Sequence, residues 1–194
     1  IGAALLALLV SAAAWATEPN VTMKYDGKDV ELAVQKYSDE SWRFTTPDGK
    51  VAVDVYVTRY DDFEGFTRMK TRIFNLSDEN TGVVSDLRVF QGETPLVANN
   101  DSVTVNTLVG SVCAPIDFQP VVKELAPSET YELATPSGRS SSEYTPYLEA
   151  NLDDLNGTLY CIGWTGAWRA FFENTGKACR VELGMLRASF SMRP

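Results

Sequence analysis

Trp164 and Trp168 are the side chains of this sequence best suited to meet a ligand face to face. They stand in the stretch Gly163-Trp164-Thr165-Gly166-Ala167-Trp168, in which two glycines permit a tight turn between strands. An indole held at such a turn can stack on the apolar C–H face of a sugar ring. The same side chains also serve as packing mass. Strand alternation puts Thr158, Tyr160, Ile162 and Trp164 on one face, so Trp164 can simply extend an inward row. A second group, Arg139, Ser140, Ser141, Ser142 and Glu143, offers hydroxyls that both donate and accept, beside the rigid fork of a guanidinium. Such a loop can bind carbohydrate hydroxyls, or its Arg and Glu can fix the loop itself. A third, Asp61, Asp62 and Glu64 beside Phe63 and Phe66, has the carboxylates that glycosidic acid/base chemistry or calcium would need. Its spacing fits no EF-hand loop, and a solvated turn between two strands explains it without chemistry. No residue is assigned a catalytic or metal-binding role.

What is missing narrows the chemistry further. The 194 residues include no histidine, which excludes Ser-His-Asp and Cys-His catalysis, imidazole-based zinc sites and histidine proton shuttles. The 3 cysteines, Cys113, Cys161 and Cys179, are too few and too far apart for a disulfide framework or a thiolate cluster. In an oxidising compartment Cys161 and Cys179 are the pair expected to join, leaving Cys113 over. No cofactor is implied. With 26 acidic against 17 basic residues the formal charge is −9, and the Lys and Arg residues are scattered along the chain, so nucleic acid is not an expected partner.

The elements that would position these residues are strands. Short alternating apolar runs recur between Gly, Pro, Asn and Asp. The clearest is Lys50 to Arg59, with Val51, Val53, Val55 and Val57 on one face and Asp54, Tyr56 and Thr58 on the other. It follows the turn Pro47-Asp48-Gly49 and the run Ser41 to Thr45, which together read as a hairpin. Further strands are expected at Val30 to Tyr37, Phe66 to Phe74, Val83 to Phe90, Ser102 to Leu108, Thr130 to Leu133, Thr158 to Trp164, Ala167 to Phe172, Ala178 to Leu183 and Leu186 to Met192. Only Gln119 to Leu125 suggests a helical turn. About ten strands with short turns imply an all-β fold, a two-sheet antiparallel β-sandwich, because one open sheet cannot cover its own core. A barrel is the alternative.

Residues 1–16 form an apolar run that turns small and ends Ala14-Trp15-Ala16, the small-x-small pattern of a signal peptide. It is short of the roughly 20 apolar residues that span a bilayer. A secreted or periplasmic chain with no membrane contact after signal removal is therefore expected, and residues 17–194 form one domain of 178 residues. Ile1 already stands inside the apolar part, so the start is expected to be incomplete, and a further segment is expected beyond Pro194. Four sequons, at Asn20, Asn75, Asn100 and Asn156, would accept glycans in a eukaryotic secretory route.

Several stretches together carry a family signal. Gly138-Arg139-Ser140-Ser141-Ser142-Glu143-Tyr144, with Pro146-Tyr147-Leu148 after it, precedes Leu159-Tyr160-Cys161-Ile162-Gly163-Trp164-Thr165-Gly166-Ala167-Trp168-Arg169-Ala170, and Gly184-Met185 follows. Upstream, Phe74 to Gly82 leads into Val84-Ser85-Asp86-Leu87-Arg88-Val89-Phe90. This order resembles the N-terminal domain of the retaining α-galactosidases and melibiase-like enzymes of glycoside hydrolase family thirty-six, over about Tyr25 to Arg193. The resemblance implies a β-sandwich of the supersandwich type placed before a (β/α)₈ barrel, whose two aspartates act as nucleophile and acid/base. Nothing here corresponds to that barrel, so no catalytic residue carries over. It further implies that the chain's partners are its own catalytic barrel, a galactoside-containing carbohydrate and further copies of itself. Trp164, Trp168, Arg139, Ser140 and Glu143 would then touch sugar or barrel. A free-standing carbohydrate-binding module is the alternative.

Overall fold

Alternating side chains with turn residues between them make strands, and all fifteen elements among the described residues are strands. The computed structural model describes residues 18–194 apart from 61, 63, 64, 99, 112, 136–138, 140, 164, 165 and 186–188. The described strand pairs are antiparallel. By internal contacts the chain divides into two compact units, one of residues 18–91 with 189–194, the other of residues 92–185.

The first unit holds β1 (Thr22–Tyr25), β2 (Lys28–Asp29), β3 (Ala33–Ser38), β4 (Ser41–Thr45), β5 (Val51–Arg59), β6 (Thr67–Asn75), the first part of β7 (Val84–Pro95) and β15 (Ser189–Phe190). Strands β3-β4-β5-β6 make one sheet; β2-β1-β7 make a ladder on which β15 also pairs. The expected hairpin forms. Gly49 takes φ +73°, which costs a residue without Cβ little, and the Asp48 carboxylate accepts from the Thr46 hydroxyl (2.7 Å) and the Lys50 amide (3.0 Å). Val51, Val53, Val55 and Val57 are buried as their alternation predicts, with Trp42 and Phe44 of β4 on the same face. Each such side chain contributes on the order of 1.5–3 kcal/mol when fully buried. Asp54 points to the opposite face yet is only 5% exposed. Arg43 covers it from the neighbouring strand, its Nε donating to Oδ1 (2.6 Å) and its Nη2 to Oδ2 (2.8 Å).

The second unit holds the end of β7 with β8 (Val103–Leu108), β9 (Pro120–Leu125), β10 (Thr130–Ala134), β11 (Tyr147–Asn151), β12 (Gly157–Cys161), β13 (Arg169–Asn174) and β14 (Ala178–Gly184). One sheet runs β12-β11-β8-β9, the other β10-β13-β14, beside the end of β7. Val105, Leu125, Leu148 and Tyr160 of the first are buried, as are Leu133, Phe172 and Val181 of the second. Tyr160 meets Phe172 edge to face with ring centroids 6.1 Å apart, a geometry favoured by the ring quadrupoles. Buried Asn174 donates to the carbonyls of Asp101 (2.7 Å) and Leu125 (2.9 Å), so its amide is satisfied inside the core.

Three expectations are corrected. Gln119 to Leu125 contains β9, not a helical turn: Val121, Lys123 and Leu125 alternate with more exposed neighbours. Strands β1, β2 and β11 form where none is predicted, and β7 reaches Pro95, five residues beyond Phe90. Cys161 and Cys179 do not pair; Cys161 is exposed and Cys179 buried, and Cys113 is free as well. Tyr160 occupies the inward side of β12, so the next residue, Cys161, leaves on the other face.

Candidate functional site

The serine loop, the glycine-tryptophan turn and Gly184 gather at one end of the second unit because strand pairing brings their ends together. As β10 closes, the Thr135 amide donates to the Trp168 carbonyl (3.1 Å), and Ala134 stands opposite Arg169. The chain then enters the serine loop. It leaves the loop at Tyr144, which bridges to Val109, and at Thr145, whose amide donates to the Leu108 carbonyl (2.9 Å). Two residues on, Pro146 accepts from the Ile162 amide (2.8 Å) at the entrance to the glycine-tryptophan turn. Both ends of the serine loop thus stand beside both ends of that turn. Gly184, the last residue of β14, pairs with Arg169 and brings the third motif to the same end.

The serine loop is held by its backbone. Amides of Gly110 and Ser111 donate to the carbonyls of Glu143 (2.8 Å) and Ser141 (2.7 Å), and the Ser142 hydroxyl donates to the Arg139 carbonyl (3.2 Å). Gly110 lies so close that a Cβ there would overlap the Ser141 carbonyl, so only glycine admits this approach. Nearby, burial and the neighbouring Tyr144 hydroxyl push the Tyr131 phenol above its usual range. Arg139 and Glu143 are exposed, and no ion pair joins these two described residues. Both charged groups of the loop are thus exposed, while the loop itself is held by the backbone bonds above.

Trp168 is fully buried. An indole with no accessible surface adds packing mass and cannot stack on a sugar ring from solution. Trp164, Ser140, Asp61 and Glu64 lie outside the described residues; Asp62 is exposed in a turn between β5 and β6. A cavity of about 710 Å³ opens by the β11–β12 turn, lined by Asn100, Glu149, Asp153, Asp154 and Asn156 among others. The Asp153 carboxylate accepts from the amides of Leu155 (2.7 Å) and Asn156 (2.6 Å), and these bonds hold its pKa below the usual carboxylate range. A carboxylate occupied as a turn acceptor is a poor general acid near neutral pH. Among the described residues no group of three or more Cys, Asp or Glu could hold a metal ion.

One cluster was missed in the sequence. Arg68, Lys70 and Arg72 alternate along β6 with Met69 and Thr71, so all three stand on its exposed face, with Arg72 in the same row across the sheet as Arg43. The cations are scattered along the chain but not on the surface. The R-x-K-x-R spacing at period two was the signal.

No protein-family model and no curated protein matches the chain. Solved structures do. The GH36 α-galactosidase AgaA of Geobacillus stearothermophilus aligns with TM-score 0.65 at 12% identity, over 92% of this chain and 28% of its own. The fold is that of an α-galactosidase segment. An α-galactosidase of Lactobacillus brevis gives TM-score 0.61 at 12% identity, over 92% of this chain and 24% of its own. The galactosidase domain of the α-galactosidase-sucrose kinase AgaSK gives 0.61 at 13% identity, over 89% and 27%. The chain thus spans about a quarter of the length of the α-galactosidases whose fold it shares.

Proposed function

We propose that this chain is a non-catalytic, β-rich part of a secreted α-galactosidase-like glycoside hydrolase, which supports a catalytic barrel and lends it part of an active-site rim. The observation that carries the reading is the α-galactosidase fold over 92% of the chain, matched to only 28% of AgaA, which leaves most of such an enzyme to other segments. The end bearing Arg139 and Glu143 suits the contact, since its loop is pinned through the backbone and its charged groups are exposed. Secretion rests on the apolar run and Ala14-Trp15-Ala16.

The test compares the chain with the longer product of its intact gene. The longer protein is expected to hydrolyse a chromogenic α-galactoside and the chain alone is not; turnover by the chain, or an intact gene encoding no barrel, overturns the reading. Arg139→Ala is expected to lower the melting temperature of the longer protein while leaving that of the isolated chain unchanged. An equal loss in both would make Arg139 a support of the loop alone.

A further inference from the structure

The open face of sheet β3-β4-β5-β6 gathers positive charge on a chain whose net charge is −9. Register sets the rows: Arg43 opposite Asp54 opposite Arg72, then Ser41 opposite Tyr56 opposite Lys70, then Thr58 opposite Arg68. Asp54 is the one acid in these rows, and Arg43 already occupies both of its oxygens. Arg68, Lys70 and Arg72 are exposed, and none forms an ion pair with a described residue. Residues two apart on a strand are separated by roughly 6.6–6.8 Å, so β6 presents three cations in a straight line. Strand β6 is the sheet's edge, which leaves the line open to a long ligand running beside it. The Arg72 guanidinium lies 5.8 Å from the centre of the Tyr56 ring, a cation–π contact that steadies it over the strand.

Charge on an edge strand also discourages sheet-to-sheet association. An acid in the line would serve that purpose equally, and acids outnumber bases 26 to 17 in this chain. Three cations with no acid among them instead match a partner carrying regularly spaced negative charge.

We infer that this face docks an acidic polysaccharide, a glycan with carboxylate or sulfate groups along its length. The choice of a glycan among polyanions rests on the glycoside hydrolase reading above; the charge complementarity does not. Such a chain would lay its anionic groups along Arg68, Lys70 and Arg72 and its hydroxyls against Ser41 and Tyr56.

The experiment measures equilibrium binding of the 194-residue chain to polygalacturonate and to neutral galactan at about 0.02 M and about 0.5 M salt, where screening differs widely. Polygalacturonate is expected to bind at low salt and be released at high salt, and galactan to bind at neither. The triple variant R68Q/K70Q/R72Q is expected to lose about tenfold or more in affinity, the sum of three exposed ion contacts. Its circular dichroism reports whether it folds. Lys70→Glu, at an exposed position, keeps the question open to test should the triple variant unfold, and is expected to weaken binding several-fold. The inference is overturned by no binding at low salt, by undiminished binding in the folded variants, or by tighter binding of a single-stranded oligonucleotide or an anionic phospholipid vesicle. Hydrolysis of a small neutral α-galactoside by the longer gene product reports only on the enzyme reading, so the two fail separately.

Discussion

Cys161 follows Tyr160 on β12, so the two side chains leave the strand on opposite faces, Tyr160 inward to Phe172 and Cys161 outward. Cys179 is buried in β14, and burial pushes its thiol up to about 12. Native protein titrated with a thiol reagent at neutral pH should therefore react at Cys113 and Cys161 and yield Cys179 only on unfolding. Reaction at Cys113 alone, with the other two released by reductant, would mean that a bridge forms after all. Asp54 carries the second expectation at this scale. The bidentate Arg43 contact holds its carboxyl below the usual carboxylate range. A depressed folded pKa adds stability that is present above the unfolded value, near 4, and lost as pH falls through the folded one. Asp54→Asn leaves Arg43 without its charge partner, and should cost roughly 2 kcal/mol at neutral pH, between the exposed and buried limits for such pairs. Urea unfolding checks this: the gap between wild type and variant should shrink at about pH 3. A gap independent of pH would mean that shape, not charge, accounts for the loss.

At the scale of elements, Gly110 is where a strand end and a loop depend on each other. Its backbone passes against Ser141 and Glu143, with the Glu143 amide 3.0 Å from where a Cβ would sit. Gly110→Ala must push the serine loop outward and should destabilise by about 1–3 kcal/mol, in the range of overpacked sites. Hydrogen exchange at the amides of Gly110 and Ser111 should rise with it, because these two pin the loop; unchanged protection would show that the loop tolerates the methyl. Strands with regular alternation were legible in the sequence. β4 and β5 were read to within a residue because Trp42, Phe44 and the four valines share one buried face. The run from Gln119 to Leu125 suggested a helical turn, yet pairing with β8 along its length makes it β9. Pairing also decides β11 and the long β7. The gathering of the motifs by Thr135, Pro146 and Arg169 is a property of register between distant strands, so no local pattern announces it. For Trp168 the sequence left stacking and packing side by side, because its type and the nearby glycines suit both, while its burial depends on neighbours far along the chain.

Across the whole molecule, acids held ionised and neutral groups held protonated bound the pH range of stability from both sides. On the acid side, hydrogen bonds from Lys36 lower Asp39, Lys50 lowers Glu79, and backbone amides lower Asp153. Burial pushes Asp48 upward, but hydrogen bonds from Thr46, Lys50 and Tyr25 outweigh it. Together with Asp54 these groups favour the folded chain above about pH 4, and that contribution drains away as pH falls through their folded values. On the alkaline side, burial raises both Tyr160 and Cys179. Raised groups give stability that is complete below their unfolded values, about 8.5 for the thiol and about 10 for the phenol, and lost as pH climbs through the folded ones. Urea midpoints should thus form a plateau between about pH 5 and about pH 8.5, falling on both sides. With a pI near 4.5, the acid limb crosses charge neutrality, where self-association rises. Dilution separates the effects, since association depends on concentration and proton linkage does not. Cys179→Ala should lower the plateau, because it opens a small cavity, and should flatten the start of the alkaline limb; if the limb begins at the same pH and with the same slope, the buried thiol is not what limits it.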